Sequence, residues 1–275
     1  MKPFRTVAET TAPDGARFTL HEHDGAHFMK LNGRQLMSTT STTSEILLAK
    51  LACEKLHRHP HPRVLIGGLG LGFSLKAVLS IVGKKAEVHV AELLPEVVEW
   101  NRQFLMTVNG ALLNDRRVKV FTEDVFRIIR RSHGTRYDAI LLDVDNGPTS
   151  FVQARNARIY TRPGFIRIAN ALQPGGRVAF WSATDEEAFG ESLARAGFRV
   201  HVVEAKSHDR AKRFEHRIYI GDTKPREREA ETGESPSSAI APVTKLANRN
   251  PKSVRHGVAR SGEDGKQIQI SNSKT

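Results

Sequence analysis

From residue 63 onward the chain repeats one unit, a short β-branched run followed by a stretch of helical spacing. This alternation limits the fold more than any other feature. "RVLIGG" ends on glycine and reads as a strand buried on both faces. "FSLKAVLSIVG" then has helical spacing and a terminal Gly. The turn-by-turn order continues with "AEVHVAEL" before "PEVVEWNRQFLMTV", whose Pro95 suits a first helical turn. "RVKVFTED" precedes the short helix "VFRIIRRS", and "YDAILLDV" precedes a helix at about residues 162–172. After a "PGG" turn, "RVAFWSA" leads into "DEEAFGESLARAG", with acids in the first turn where the helix dipole favours them. "FRVHVVEA" and "FEHRIYIGD" close the body as consecutive strands, which predicts an antiparallel strand inserted at one edge. The fold expected is α/β, a doubly wound, mostly parallel, Rossmann-like sheet of seven strands.

Two further segments flank this body. Residues 1–43 contain "ARFTLHEHDGAHFMKLNGRQLMST", which alternates around Asp-Gly and Asn-Gly, so a small N-terminal β-hairpin element is expected there. The α/β domain spans 44–222, opened by the helix "SEILLAKLACEKL" with Ser44 as its cap. Residues 223–275 are rich in Ser, Pro, Gly, Lys, Arg and Glu with no sustained period, and read as a disordered basic tail. A hydrophobic content of 39% over 275 residues fits a chain with part of its length outside a core. One cysteine, Cys53, excludes an internal disulfide framework and suits a reducing compartment. With no signal-peptide pattern and no apolar run of membrane-spanning length, the expectation is a soluble, cytoplasmic protein without a membrane partner. The net charge of +12 raises nucleic-acid binding, but the cations are scattered among acids with no aromatic-interleaved stripe, so this is the weaker reading.

In open α/β sheets a ligand binds outside the carboxyl ends of the strands, so those ends are read together. The first strand runs into "GGLGLG", where Gly68, Gly70 and Gly72 let the backbone approach a ligand closely. Glu92 ends the second strand, where a carboxylate can accept from both hydroxyls of a ribose. Asp124 follows the third strand and suits an adenine amino group. Asp143 and Asp145 end the fourth, before Gly147-Pro148 starts a covering loop. An acid beside a second acid can hold a raised pKa and act as general base for an amine, and such a pair also suits a cationic substrate. Any one of these acids alone reads as a solvated or capping group; four successive strand ends together read as a nucleoside-type site.

The remaining chemistry-bearing residues have plainer readings. The clusters His21, His23, His27 and His57, His59, His61 match no common metal spacing, and no metal is expected. Cys53 lies in an apolar helical stripe with Leu47, Leu48 and Leu51 and reads as core. Trp181 ends a strand and is placed to line a pocket.

These residues resemble the spermidine synthase family of polyamine aminopropyltransferases, with the chain as a divergent member on a class I methyltransferase-like fold. The resemblance runs from about residue 17 to 221 and rests on "VLIGGLGLGFSLKAVL", "VAELLPEVVEWNRQFL", "NDRRVKVFTEDVFRII", "YDAILLDVDNGP" and "ARIYTRPGFIRIANALQPGGRVAFW". It implies transfer of an aminopropyl group from decarboxylated S-adenosylmethionine to a polyamine amine. Asp143 then falls on the general base with Asp145 beside it, Glu92 on the ribose acid and Asp124 on the adenine side. Upstream, "LNGRQLMS" resembles the family's hairpin leading to a Gln, here Gln35 and one position out of register. The resemblance implies assembly as dimers or tetramers through the N-terminal region, but this N-terminal element is short, so the expectation goes no further than a homodimer. Three departures concern the amine-recognising groups. Leu71 stands where the family's glycine loop carries an Asp for the donor amine; "TTSTTSEILLAK" has no Tyr and no second acid; and "DVDNGP" is two residues shorter than the family's loop. Ordinary S-adenosylmethionine, and hence methyl transfer, is the alternative that these departures open.

Overall fold

The computed structural model describes residues 3–132, 134–144 and 154–225. Asp145, Gly147, Pro148 and nearly all of the expected tail lie outside these residues.

Four strands open the chain: β1 (Arg5–Thr11), β2 (Arg17–His23), β3 (Ala26–Leu31) and β4 (Arg34–Ser38). They form a separate antiparallel sheet in the order β1-β2-β3-β4. Two of its turns follow directly from sequence. Asp24-Gly25 has φ of 48° and 79°, and Asn32-Gly33 has 48° and 82°. Positive φ at both central residues matches the right-handed twist of the flanking strands. The strand β1 is an addition to the hairpins expected from sequence, because "RTVAETT" carries no turn signal that pairs it with β2.

The body follows as α1 (Thr43–Cys53), β5 (Arg63–Gly67), α2 (Phe73–Ile81), β6 (Glu87–Ala91), α3 (Pro95–Gln103) and α4 (Met106–Asn109). It continues with β7 (Val118–Phe121), α5 (Val125–Arg131), β8 (Tyr137–Leu142) and α6 (Arg162–Ala171). The closing elements are β9 (Leu172–Ser182), α7 (Glu187–Arg195), β10 (Arg199–Ala205) and β11 (His216–Asp222). The second sheet has seven strands in the order β10-β11-β9-β8-β5-β6-β7. It is parallel except at β11, which pairs antiparallel with both β9 and β10. The strand order reverses at β5 and β8, which puts the crevice between the loops that follow these two strands.

Both faces of this sheet are covered, which is why its strands read as continuous apolar runs. On β5, Val64 and Ile66 pack with Leu48, Leu75 and Val97 of the helices on one face. Leu65 between them packs with Phe126, Phe165 and Phe189 on the other. The period of two sorts every second side chain to opposite cores. Cys53 is fully buried among the first set, as its apolar stripe predicts.

Three local expectations need correction. Ser44 does not cap α1; the helix starts one residue earlier, Thr42 holds the cap position without a side-chain bond, and Ser44 is buried inside the first turn. The single helix expected over 95–108 breaks after Gln103, because Leu105 turns fully into the core and Asn109 is thereby swung back toward the glycine loop. The "PGG" turn is absorbed into β9 as a bulge. Tyr137 pairs with Leu172 and Ala139 with Arg177, so two steps along β8 match five along β9.

One buried ion pair ties the sheet's antiparallel edge to α1. Arg177 on β9 donates to both oxygens of Asp222 at 2.6 and 3.0 Å, and also to the Leu51 carbonyl at 2.6 Å and Glu54 at 2.7 Å. Burial opposes the ionised Asp222, but the Arg177 guanidinium outweighs it and holds the carboxyl below its usual range. Removing the arginine leaves the buried Asp222 only the longer contacts of Lys55 and Arg199, each at 3.5 Å. We therefore expect Arg177→Met to cost about 3 kcal/mol of unfolding free energy in denaturant titration at neutral pH. Asp222 has a lowered folded pKa, so its contribution is present above the ordinary carboxylate value and lost as pH falls through the folded one. The gap between wild type and variant should narrow below about pH 4.

Candidate active site

The cavity at the carboxyl ends of β5, β6, β7 and β8 is built around a glycine loop. Gly68 and Gly70 have φ of +88° and +51°, a region that side chains rarely adopt. A Cβ on Gly68 would meet the Asp143 carbonyl oxygen at 2.4 Å, and one on Gly70 would meet Met37 Sδ at 2.7 Å. The ends of β5 and β8 and the top of the N-terminal sheet can therefore close on this loop only where side chains are missing. Two asparagines brace it from behind: Asn101 donates to the Gly70 carbonyl at 2.8 Å and Asn109 to that of Leu71. Gly72 turns toward these asparagines and starts α2; it does not line the cavity.

The open space in the cavity is about 990 Å³ including its mouth, within the range of small-molecule sites. Gly68, Gly70, Glu92, Asp124 and Asp143 all line it. Glu92 follows β6, and its two oxygens accept from the Leu69 and Leu94 amides, each at 2.9 Å. Burial pushes its carboxyl upward, against the lowering effect of those amides. The Leu93 and Gly70 amides also act on this carboxylate, so the loop and the end of β6 converge on it. Asp124 caps α5 by accepting from the Phe126 amide at 2.8 Å, and its other oxygen accepts from Arg158. Arg158 also stacks over the Phe126 ring at 5.0 Å. Ala91, Val125 and Val144 add apolar surface beside Asp124.

Asp143 sits one residue beyond β8, its amide donating to the Gly67 carbonyl at 3.0 Å. Burial raises its carboxyl to about 7, the negative charge of Glu45 adds to the shift, and the Ser74 hydroxyl works against it. Glu45, in the first turn of α1, lines the same cavity and is 8% exposed. Glu45 is the one acid of the segment "TTSTTSEILLAK", and its place in the first turn of α1 turns it inward. The sequence signal was there, an acid in an apolar helix start, but it reads equally well as a dipole-favoured surface residue.

Phe18, Met29, Leu36 and Met37 come from the N-terminal sheet and wall the cavity on one side, with Trp181 of β9 also lining it. Gln35 is not brought to the site: it is exposed on β4 while its neighbours Leu36 and Met37 face the cavity. Leu71 is 2% exposed and belongs to the core. Asp185, Glu186 and Glu187 do not line the cavity either, and Asp185 pairs with Arg217 at 3.0 Å. Among the described residues no group of three or more His, Cys, Asp and Glu is arranged to hold a metal, and no helix is long and apolar enough to cross a membrane.

With this geometry in place, comparisons with known proteins bear on its kind. The family model described as a spermine/spermidine synthase domain matches residues 47–187, just over half of the chain. The chain is 32% identical over 123 residues to a polyamine aminopropyltransferase of Pyrobaculum calidifontis, covering 44% of this chain and 41% of that protein. It is 32% identical over 122 residues to a putrescine N-methyltransferase of Nicotiana attenuata, covering 43% and 30% respectively. A polyamine aminopropyltransferase of Corynebacterium efficiens matches at 31% over 123 residues, 44% of this chain but 22% of its own length. The matched stretch therefore spans well under half of each of these relatives. The fold superposes on the crystal structure of spermidine synthase from Thermotoga maritima with a TM-score of 0.59 at 17% identity, covering 81% of this chain and 74% of that one. The chain belongs to the spermine/spermidine synthase family.

Proposed function

We propose that this chain transfers a carbon group from an adenosyl-sulfonium donor to an amine nitrogen, with Asp143 as the general base. The observation that carries this reading is the position of Asp143. Its carboxyl, raised to about 7, shares one cavity with Glu92 and Asp124 and lies against the Gly68 turn. A base acting near neutral pH needs a pKa near the working pH.

The residues present fit such a donor. Gly68 and Gly70 leave room for close backbone approach, and Glu92 lines the same cavity as the carboxylate that would meet the ribose hydroxyls. Ala91, Val125 and Val144 offer an apolar slot for a base ring beside Asp124. The donor supplies a carbon bonded to positively charged sulfur, and that C–S bond breaks with its electron pair going to sulfur as nitrogen attacks. Asp143 removes one proton from the acceptor's ammonium so that the nitrogen has a lone pair to attack with. The Phe18, Met29 and Leu36 wall suits the methylene chain of a polyamine and keeps water from the exchange.

Decarboxylated S-adenosylmethionine with aminopropyl transfer is the first reading, in keeping with the family. S-adenosylmethionine with methyl transfer is the second, favoured by Leu71, which is buried in the core and contributes nothing to hold a donor amine. We also propose 44–222 as the catalytic domain, with 1–43 as a β element that walls the cavity and 223–275 as a basic tail. A cytoplasmic setting and assembly as a homodimer, with Asp145 next to Asp143 at the reacting end, belong to the same proposal.

Calorimetric titration with decarboxylated S-adenosylmethionine, S-adenosylmethionine and methylthioadenosine tests the donor. The decarboxylated form should bind tightest; preference for the carboxylated form assigns methyl transfer, and no binding of any overturns the nucleoside site. Glu92→Gln should weaken methylthioadenosine binding by about tenfold, since a buried hydrogen bond to a charged group is worth 1.5–3 kcal/mol or so. Asp143→Asn should abolish turnover while changing nucleoside affinity by no more than a few-fold. Asp143 is protonated below about pH 7 and competent above it, so kcat/KM of the wild type should rise with pH through that value. A flat profile between pH 6 and 8 would remove Asp143 from the role of base.

A further inference from the structure

Of the carboxylates lining the cavity, three already have fixed partners. Glu92 is held by the Leu69 and Leu94 amides, Asp124 by the Phe126 amide and Arg158, and Glu123 by Arg131. Glu45 and Asp143 differ. Glu45 accepts from the Ser44 hydroxyl at 2.7 Å and from its own backbone amide, and among the described residues neither acid forms an ion pair with any cation. Beside Asp143 lies Ser74, 5% exposed, whose hydroxyl acts on that carboxyl without completing a hydrogen bond of normal geometry. Two buried acids with an unsatisfied hydroxyl at the base of an apolar cavity leave a polar site incomplete. Buried charge is stable only when paired, and buried hydroxyls are nearly always bonded.

We propose that Glu45 is the second carboxylate of the reaction centre, and that Glu45, Asp143 and Ser74 together bind the single ammonium group of the acceptor that is to react. This rests on the reading of the cavity as an amine-transfer site and assigns its acceptor pole. The three groups come from three elements: Glu45 of α1 and Asp143 at the end of β8 line the cavity, and Ser74 of α2 lies beside Asp143. An ammonium has three N–H donors, which matches two carboxylates and one hydroxyl. The apolar side chains of Met29 and Leu36 take the methylene chain behind it. When empty, the acid pair holds a proton in place of the missing cation, since two close carboxylates do not both ionise in a buried site. The entering ammonium displaces that proton; Asp143 then takes one proton from the bound nitrogen, and Glu45 retains the charge that keeps the nitrogen in place. Other charged groups at the cavity are Glu92, Glu123 and Asp124, each bonded as above, with Arg158 held on Asp124.

The test is calorimetric titration of the full chain with n-butylamine and, separately, with methylthioadenosine, in wild type, Glu45→Gln and Glu45→Asp. n-Butylamine carries one ammonium throughout the range, so its affinity should rise about tenfold between pH 5.5 and 8.5 as the pair loses its proton. Glu45→Gln should weaken n-butylamine by about tenfold or more at pH 8.5, and Glu45→Asp should recover part of the loss. Methylthioadenosine affinity should stay within about twofold in both variants, which also reports that they are folded. Because Glu45 raises Asp143, the midpoint of the n-butylamine pH dependence should move to lower pH in Glu45→Gln; a purely structural role for Glu45 leaves the midpoint where it is. Equal n-butylamine affinity in wild type and Glu45→Gln, an unmoved midpoint, or no amine binding by the wild type overturns the proposal. Failure of methylthioadenosine to bind the wild type instead strikes the nucleoside reading of the cavity.

Discussion

The Gly68 backbone lies so close to the Asp143 carbonyl that a single methyl group between them would sit 2.4 Å from oxygen. This contact joins the ends of β5 and β8 at the place where the sheet changes direction, and most of the site depends on it. It fixes the Gly68–Leu71 loop, leaves the Leu69 amide pointing at Glu92, and places Asp143 at the cavity floor. Asn101 and Asn109 hold the far side of the loop, and for Asn109 to reach it the helix after β6 must break. Two strand ends and two asparagines together hold this glycine loop in place.

The same constraint sets the electrostatics. Once the loop and the N-terminal sheet close over the strand ends, the carboxylates there lose water. Those that find amides or arginines become structural as well as ligand-facing, as Glu92 and Asp124 do. Those that find none are pushed toward neutrality, as Asp143 and Glu45 are. Burial without a counter-charge is what turns an ordinary aspartate into a base suited to neutral pH. The apolar contributions of Phe18, Met29 and Met37 from the first sheet are therefore part of the chemistry, since they exclude the water that would otherwise solvate these acids.

Family membership and the departures from it meet in this cavity. The glycine turn, Glu92 and Asp124, which the proposed function assigns to a nucleoside, follow the family resemblance. The positions that the resemblance would assign to an amine are arranged differently: Leu71 is in the core, Gln35 is exposed, and Glu45 enters the cavity from α1. Arg158 adds a cation on Asp124 that sequence reasoning did not foresee, because the residues lie far apart in the chain and only the turn before α6 brings them together.

The layered α/β body and its strand-end acids are written in local sequence pattern. Periodicity is local: Val64, Leu65 and Ile66 announce a strand buried on both faces, and Asp24-Gly25 and Asn32-Gly33 announce their turns, because φ/ψ preference and burial are properties of a few adjacent residues. Gly68, Gly70, Glu92, Asp124 and Asp143 were legible for the same reason, since a parallel sheet sends successive strand ends to one edge. Tertiary structure alone decided that Gly72 braces the loop while Gly68 and Gly70 face the cavity, and that Leu36 and Met37 enter while Gln35 does not. It also decided that Glu45, rather than an acid next in sequence, meets Asp143 among the described residues. These outcomes depend on where α1 starts and how one sheet lies over the end of another. Such distances are set by packing between segments remote in sequence, on which no local pattern reports.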